Sequence, residues 1–324
     1  MNLFEHAAHL YTQASAQTIS DDDIAAVVNW PIESVSVLFS VADQLRLHYC
    51  GNEVDPCSLM NVKSGGCSED CAFCAQSGHS HTSVNVTDLA KPEEIRERLA
   101  NARKHNLPFC VVSSGRRLTR DQVGTICSAL KGSAGEKHAS LGILDKEEFA
   151  MLVDAGVVCY NHNLEASSSY FPKIVSTHTW EERVNTVRCA KAAGLRVCCG
   201  GIFGVGETWN NRVQFAKELK ELDVDTIPIN FFNPVPGTRA KAPKESPLEF
   251  LKIVSLFRIM LPAKTIKVCG GREFHLGSLQ SLLFYAGANG YVSGGYLTTK
   301  GAGVDADDVM IASLGLQKRS IENR

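Results

Sequence analysis

An order of segments that repeats from about residue 54 onward constrains this chain most. A short apolar run is followed by a loop rich in Gly, Ser, Asn or Cys, and then by a helix-length amphipathic stretch. The predicted strands are Ser58–Val62, Phe109–Ser113, Ala139–Ile143, Val157–Asn161, Arg196–Gly200, Thr226–Phe231, Ile266–Cys269 and Gly290–Val292. The predicted helices between them are Pro92–His105, Arg120–Leu130, Lys146–Ala155, Thr179–Ala193, Trp209–Leu222, Pro247–Ile259 and Leu276–Ala288. Gly or Asn marks several helix ends, as in Ala155-Gly156, Ala193-Gly194 and Ala288-Asn289-Gly290. These residues tolerate the left-handed backbone that closes a helix. Eight such units predict an α/β fold, a (β/α)8 TIM-type barrel, with a doubly wound sheet as the alternative. In a barrel the reactive groups stand at the carboxyl ends of the strands and in the loops that follow.

Residues 1–50 predict an N-terminal helical extension. Ile19-Ser20-Asp21-Asp22-Asp23 supplies caps and early acids, and Val35, Leu38, Phe39, Ala42 and Leu45 form a helical stripe. The barrel is assigned to residues 51–317 and a C-terminal tail to 318–324. A net charge of −2 on 324 residues gives no basis for capturing nucleic acid or an anionic membrane. No apolar run is long enough to span a bilayer. The stretch Met1–Thr18 lacks the pattern of a signal peptide. A cytoplasmic location is expected. In a reducing compartment twelve cysteines read as metal ligands or reactive groups rather than disulfides.

The densest cluster is Cys67-Ser-Glu-Asp-Cys71-Ala-Phe-Cys74, after the first predicted strand. A loop this short can wrap three thiolates around one iron–sulfur cluster. Cubane clusters usually take four cysteines, so three leave one iron open to a small molecule. Structural zinc sites pair a short Cys-Cys unit with a distant second pair, a form this triplet lacks. Zinc or free thiols remain the plainer reading.

The triplet, with an aromatic residue before its last cysteine, resembles the radical S-adenosylmethionine (SAM) superfamily. Asn161-His-Asn163-Leu-Glu165, Gly200-Gly-Ile202-Phe-Gly204-Val-Gly206-Glu207, Pro228-Ile-Asn230 and Tyr296-Leu-Thr298-Thr299 follow in order. Together they resemble the biotin synthase family over roughly residues 35–317. The resemblance implies a 4Fe–4S cluster on Cys67, Cys71 and Cys74. Its open iron would bind SAM and its electron would release a 5′-deoxyadenosyl radical. The cofactor thus carries the hard chemistry and the protein positions it.

On the same resemblance, Phe73 packs on adenine, Arg183 reaches the methionyl carboxylate and Glu165 stands where the family has a ribose-binding acid. Gly200, Ile202, Gly204 and Glu207 bring backbone to the adenine. Asn163 and Asn230 match contacts to the ureido ring of dethiobiotin, since an amide both donates and accepts. Asn161 belongs beside them and with the cofactor set. Thr298 and Thr299 match a segment near the substrate carboxylate. Implied partners are dethiobiotin, a flavodoxin or ferredoxin as electron donor, iron–sulfur assembly proteins and a second copy of the chain as homodimer.

The family also holds an auxiliary 2Fe–2S cluster that gives up the inserted sulfide. Its ligands are cysteines on the second, third and fifth strands and an arginine on the seventh. Cys110 and Cys198 keep two of those places, but His138 and Lys267 occupy the others. Arg272 is a different position. Histidine can ligate iron, whereas a protonated lysine has no lone pair. Extra cysteines stand at Cys57, where the resemblance implies a serine lining the cluster, and at Cys159 (two before Asn161) and Cys269 (two after Lys267), on the faces those residues share. The expectation is a rebuilt auxiliary cluster drawing on Cys57, Cys110, Cys159, Cys198 and Cys269. It would be either a four-iron type with an extra sulfide or a 2Fe–2S cluster. Cys199 alternates outward, and Cys50, Cys127 and Cys189 read as structural. The rival readings are a radical SAM enzyme acting on another small molecule and a non-enzymatic iron–sulfur carrier.

Overall fold

The computed structural model describes residues 2–296, 299–300 and 303–320. Three helices come first, α1 (Leu3–Ser15), α2 (Asp21–Val28) and α3 (Val35–Cys50). The barrel strands follow as β1 (Glu53–Lys63), β2 (Phe109–Ser113), β3 (Lys137–Ser140), β4 (Val157–Asn161), β5 (Arg196–Cys198), β6 (Gly201–Phe203), β7 (Thr226–Phe231), β8 (Thr265–Val268) and β9 (Gly290–Val292). All neighbouring pairs are parallel, and β1 pairs with both β2 and β9. That last pairing closes the sheet, so the barrel holds and the doubly wound alternative falls. β5 and β6 are two halves of the fifth stave, since both pair with β7. The predicted strand Arg196–Gly200 is therefore broken at Cys199-Gly200.

The helices between the staves are α4 (Pro92–Lys104), α5 (Arg120–Leu130), α6 (Lys146–Asp154), α7 (Trp180–Ala192), α8 (Trp209–Glu221) and α9 (Pro247–Met260). Their starts are written in the sequence. At α7, Thr179 Oγ1 accepts from Glu182 N (3.2 Å) and Glu182 Oε2 accepts from Thr179 N (2.7 Å). A cap of this kind stabilises a helix by about 1 kcal/mol. Gly156 and Gly194 close α6 and α7 with φ of +80° and +83°, a conformation glycine enters without a Cβ penalty. The predicted helix Leu276–Ala288 is corrected. It is split into α10 (Arg272–Leu276), a 3-10 turn (Gly277–Leu279) and α11 (Leu282–Tyr285). Gly277, at φ +49°, ends the first piece.

Inside the ring of helices lies the main core, where Phe203, Phe215 and Phe257 meet with ring centroids 5.3–6.2 Å apart. Helix α3 packs on α9, and α9 is buried along nearly its whole length. Beyond β9 lie the two-residue strands β10 (Gly295–Tyr296) and β11 (Thr299–Lys300), helix α12 (Val304–Ser313) and β12 (Gln317–Lys318), which pairs with the start of β1. No helix among the described residues is long and apolar enough to cross a membrane.

Candidate iron–sulfur and cofactor site

The triplet lies on the loop that leaves β1. Cys67 N donates to Gln76 O (3.1 Å), Gly78 N donates to Cys67 O (2.7 Å) and Cys74 N donates to Cys71 O (3.0 Å), which folds the loop back on itself. Asp70 ties it to the loop before α7. Its carboxylate accepts from Ser176 N (2.8 Å), Ser176 Oγ (2.6 Å) and Thr177 N (3.2 Å). Burial works against the charge, but these donors hold the Asp70 carboxyl far below the usual carboxylate range. Ala72 O accepts from Arg239 N and Ala240 N, both at 2.9 Å, so the segment after β7 presses on the loop as well.

All three cysteines open onto one cavity of about 350 Å³ that runs down the barrel axis. Burial pushes the Cys71 thiol up to about 12 and raises Cys74. Buried thiols of this kind deprotonate only when a cation takes the charge, which is what iron supplies. Among the described residues no three His, Cys, Asp or Glu side chains converge as a single ion requires. A cluster, with several irons and sulfides between its ligands, holds its cysteines farther apart than one ion does. Three cysteines of one short loop facing one cavity suit a cluster that leaves one iron open.

Around the triplet stand the cofactor candidates. Phe73, Asn161, Glu165, Arg183 and Ile202 line the cavity. Arg183 Nη1 donates to Asn163 O (2.7 Å) and lies 3.8 Å from Glu165 Oε1. Glu165 is half-buried on the cavity wall, where loss of water raises its pKa, and it sits at φ +68°, an uncommon conformation for a residue with a Cβ. Gly200 and Gly201 allow strands to cross where the fifth stave breaks. A Cβ on Gly200 would run into Pro228 O, and one on Gly201 into Glu165 O. Gly204, at φ +87°, and Glu207 stand behind the cavity wall. Glu207 accepts from Gly204 N (3.1 Å), Val205 N (3.0 Å) and Arg212 Nε (2.8 Å), so it braces the glycine loop.

Of the substrate candidates, Asn163 and Asn230 face the cavity with their amides already engaged. Asn163 Oδ1 accepts from Gly200 N (3.2 Å). Asn230 Nδ2 donates to Gly201 O (3.1 Å) and its Oδ1 accepts from Gly270 N (2.9 Å). Thr298 lies outside the described residues, and Thr299 is described only as the start of β11.

Deeper in the barrel, Cys57, Cys159, Cys198 and Cys269 line the same cavity, with His138 and Lys267 among them. Cys110, His138 and Cys159 are strand partners at one level of the barrel. Cys110 is fully buried behind the lining, near Cys57 and Cys159. Burial holds Cys159 and Cys269 at about 12 and lifts Cys110 and Cys198 well above the ordinary thiol value. Lys267 Nζ pairs with Asp55 Oδ2 at 3.2 Å. His138 Nε2 meets Glu136 Oε1 at 2.8 Å, and Arg196 clasps the same oxygen. Cys199 is buried in the core outside the cavity.

Sequence reading passed over Glu69, His162 and His178, which also line the cavity. His162 is kept neutral by burial, and its buried Nε2 has no partner among the described residues. Glu69 lies inside the triplet, and that position was the available signal. Nothing in the sequence marks His178, because its neighbours become clear only in three dimensions.

Fold and site together define a barrel-type radical SAM enzyme. The family model described as "Radical SAM superfamily" matches residues 61–219, and "Biotin and Thiamin Synthesis associated domain" matches 228–317. A biotin synthase of Pelobacter propionicus is 47% identical over 288 residues, spanning 86% of this chain and 88% of the relative. One of Geobacter sulfurreducens is 46% identical over 311 residues, spanning 93% and 94%. The chain belongs to the biotin synthase family, and its activity is of that family's radical sulfur-insertion type. Solved structures confirm the fold alone. Methylornithine synthase (PylB) matches at a TM-score of 0.84 with 19% identity, covering 97% of this chain and 98% of that one. The FeFe-hydrogenase maturase HydG from Carboxydothermus hydrogenoformans matches at 0.76 with 17% identity, covering 98% and 80%.

Proposed function

We propose that this chain converts dethiobiotin to biotin, with the inserted sulfur drawn from an auxiliary iron–sulfur cluster rebuilt on the cysteines deep in the barrel. The observation that carries the reading is the single cavity. It joins the triplet at one end to Cys57, Cys159, Cys198 and Cys269 at the other.

A cluster held by the triplet would supply, with SAM, the reducing chemistry needed to break unactivated C–H bonds. Cys67, Cys71 and Cys74 hold that cluster. Arg183 offers a guanidinium to the methionyl carboxylate, and Phe73 and Ile202 enclose the adenosyl group. Asn163 and Asn230 stand between the two ends, where the ureido ring of dethiobiotin would lie. A shielded barrel suits a primary carbon radical, which any stray hydrogen donor would quench. Lys267, held cationic beside Asp55, balances the negative charge that several thiolates bring into one buried place. A reductant of the flavodoxin or ferredoxin class supplies the electrons.

The test is an anaerobic assay with dethiobiotin, SAM and reductant, alongside iron and sulfide analysis and Mössbauer spectroscopy. Biotin formation with two distinct clusters supports the reading. A single cubane and no second cluster would sink the auxiliary assignment. SAM cleavage that ignores dethiobiotin would favour another substrate.

A further inference from the structure

Two hydrogen bonds and an ion pair with Glu165 (3.8 Å) hold Arg183 and leave one edge of its guanidinium open. Its Nη1 donates to Asn163 O at 2.7 Å, and its Nε donates to His178 Nε2 at 2.9 Å. Arginine has donors only, so His178 Nε2 must be the acceptor. The ring proton then resides on Nδ1, which points at Glu69 Oε2, 2.5 Å away. Here an arginine fixes the histidine tautomer that coordinates usually leave open. Glu69 is in turn held by Thr177 Oγ1 (2.7 Å) and Ser68 Oγ (3.0 Å). His178 is 3% exposed at its side chain and Glu69 8%, so water does not compete with the chain of bonds. Phe171 lies edge-on to the His178 ring (centroids 5.5 Å apart) and 5.8 Å from the guanidinium carbon, packing both from one side.

We propose that Glu69 and His178 are positioning residues, a carboxylate–imidazole relay that aims the free Nη2 edge of Arg183 at the carboxylate of SAM. Among the described residues Nη2 has no partner, and it belongs to a side chain that lines the cavity above the triplet. Glu69 lies between two of the triplet cysteines, so the relay ties the arginine to the loop that carries the cluster. Loop and guanidinium are thereby kept in register, as one SAM molecule meeting both would require. A carboxylate behind an imidazole fixes its ring and raises its basicity in the same way at metal sites. In this chain the group it steadies is a guanidinium.

The proposal rests on Arg183 meeting the SAM carboxylate, and the experiment separates the two. SAM would be titrated into the anaerobic, reduced protein carrying its clusters, with binding followed by the change in the cluster's EPR signal. His178→Phe keeps an aromatic ring beside Phe171 but removes the acceptor. SAM affinity should fall about tenfold, the loss expected for one hydrogen bond to a charged group. Iron content should not change. His178→Gln restores an acceptor and should regain most of the affinity. Decarboxylated SAM, which lacks the carboxylate, should bind wild type and His178→Phe equally. Glu69→Ala added to His178→Phe should cost nothing further, because the relay is already broken. Equal losses for SAM and its decarboxylated analogue, unchanged SAM affinity, or loss of the cluster in His178→Phe would each overturn the relay. If Arg183→Met leaves SAM affinity unchanged, the underlying reading of Arg183 fails instead.

Discussion

Lys267 Nζ stands 3.2 Å from Asp55 Oδ2 deep in the barrel, with the two side chains 5% and 13% exposed. Burial opposes the lysine's charge, but the Asp55 carboxylate, together with Cys57, Cys198 and Cys269 wherever these are thiolate, outweighs it and raises its pKa above the ordinary value. The ammonium is thus a fixed cation. Removing one partner of a buried pair leaves the other charge stranded, which costs about 3 kcal/mol or more. Lys267→Met should lower the unfolding free energy by about that amount in urea. Adding Asp55→Leu should recover much of it. An unaltered transition in Lys267→Met would show that the pair does not hold the barrel.

The two cysteine groups should be separable. Cys71→Ala is expected to abolish SAM cleavage and remove one Mössbauer component while the other remains. Cys198→Ala should do the reverse, keeping uncoupled SAM cleavage and losing biotin formation. If Cys198→Ala leaves the iron content and spectrum of the whole protein untouched, the deep cysteines do not hold a cluster.

Asn230 fastens β6 to the turn after β8, through Gly201 O and Gly270 N. Asn230→Asp keeps the acceptor and loses the donor, and it sets a carboxylate oxygen against a carbonyl. The cost should be about 1–3 kcal/mol in the absence of substrate. Thermal unfolding followed by circular dichroism measures it. A variant as stable as wild type would leave substrate contact as the residue's whole role.

Glu207 should affect SAM affinity without touching SAM. Its carboxylate takes two backbone N–H groups of the glycine loop and the guanidinium of Arg212. Glu207→Gln weakens charge-assisted bonds and should destabilise the protein by about 2 kcal/mol. The apparent KM for SAM should rise while kcat changes little. A fall in kcat at unchanged KM would place Glu207 in the chemistry rather than behind it.

The barrel was legible because each unit carries its own local signals. Thr179 with Glu182 opens α7, Gly194 closes it, and the apolar runs at Phe109–Ser113, Val157–Asn161, Thr226–Phe231 and Gly290–Val292 coincide with β2, β4, β7 and β9. The break at Cys199-Gly200 was not legible, because it depends on how closely Pro228 O approaches from β7. Face alternation placed Cys159 and Cys269 on the cavity wall, and the family resemblance placed Cys57 and Cys198 there. The same rule could not find His178. That residue precedes the cap of α7 and reaches Glu69 across 109 positions of chain, and no periodicity encodes such a meeting.

Two glycine substitutions should move stability in opposite directions. Gly200 has an ordinary φ, so conformational freedom is not why glycine is there. A Cβ at this position would enter the space held by Pro228 O and would also crowd the Pro228 ring, with its Cδ at 2.9 Å. Backbone cannot swing aside as a flexible side chain can, so Gly200→Ala has to spread the fifth and sixth staves. Overpacking of this kind costs about 1–3 kcal/mol. The same spreading shifts Gly200 N from Asn163 Oδ1, so SAM or substrate affinity should fall with stability. Gly124 lies inside α5, where an added Cβ meets only Met151 Cε at an ordinary 3.6 Å. Gly124→Ala removes backbone freedom from the unfolded chain at no steric cost and should stabilise by about 0.5–1 kcal/mol. Urea denaturation of the two variants, with SAM binding measured on each, checks both signs. If Gly200→Ala proved as stable as wild type, the crossing at the broken stave would have room to spare, and the glycine there would owe nothing to the approach of β7.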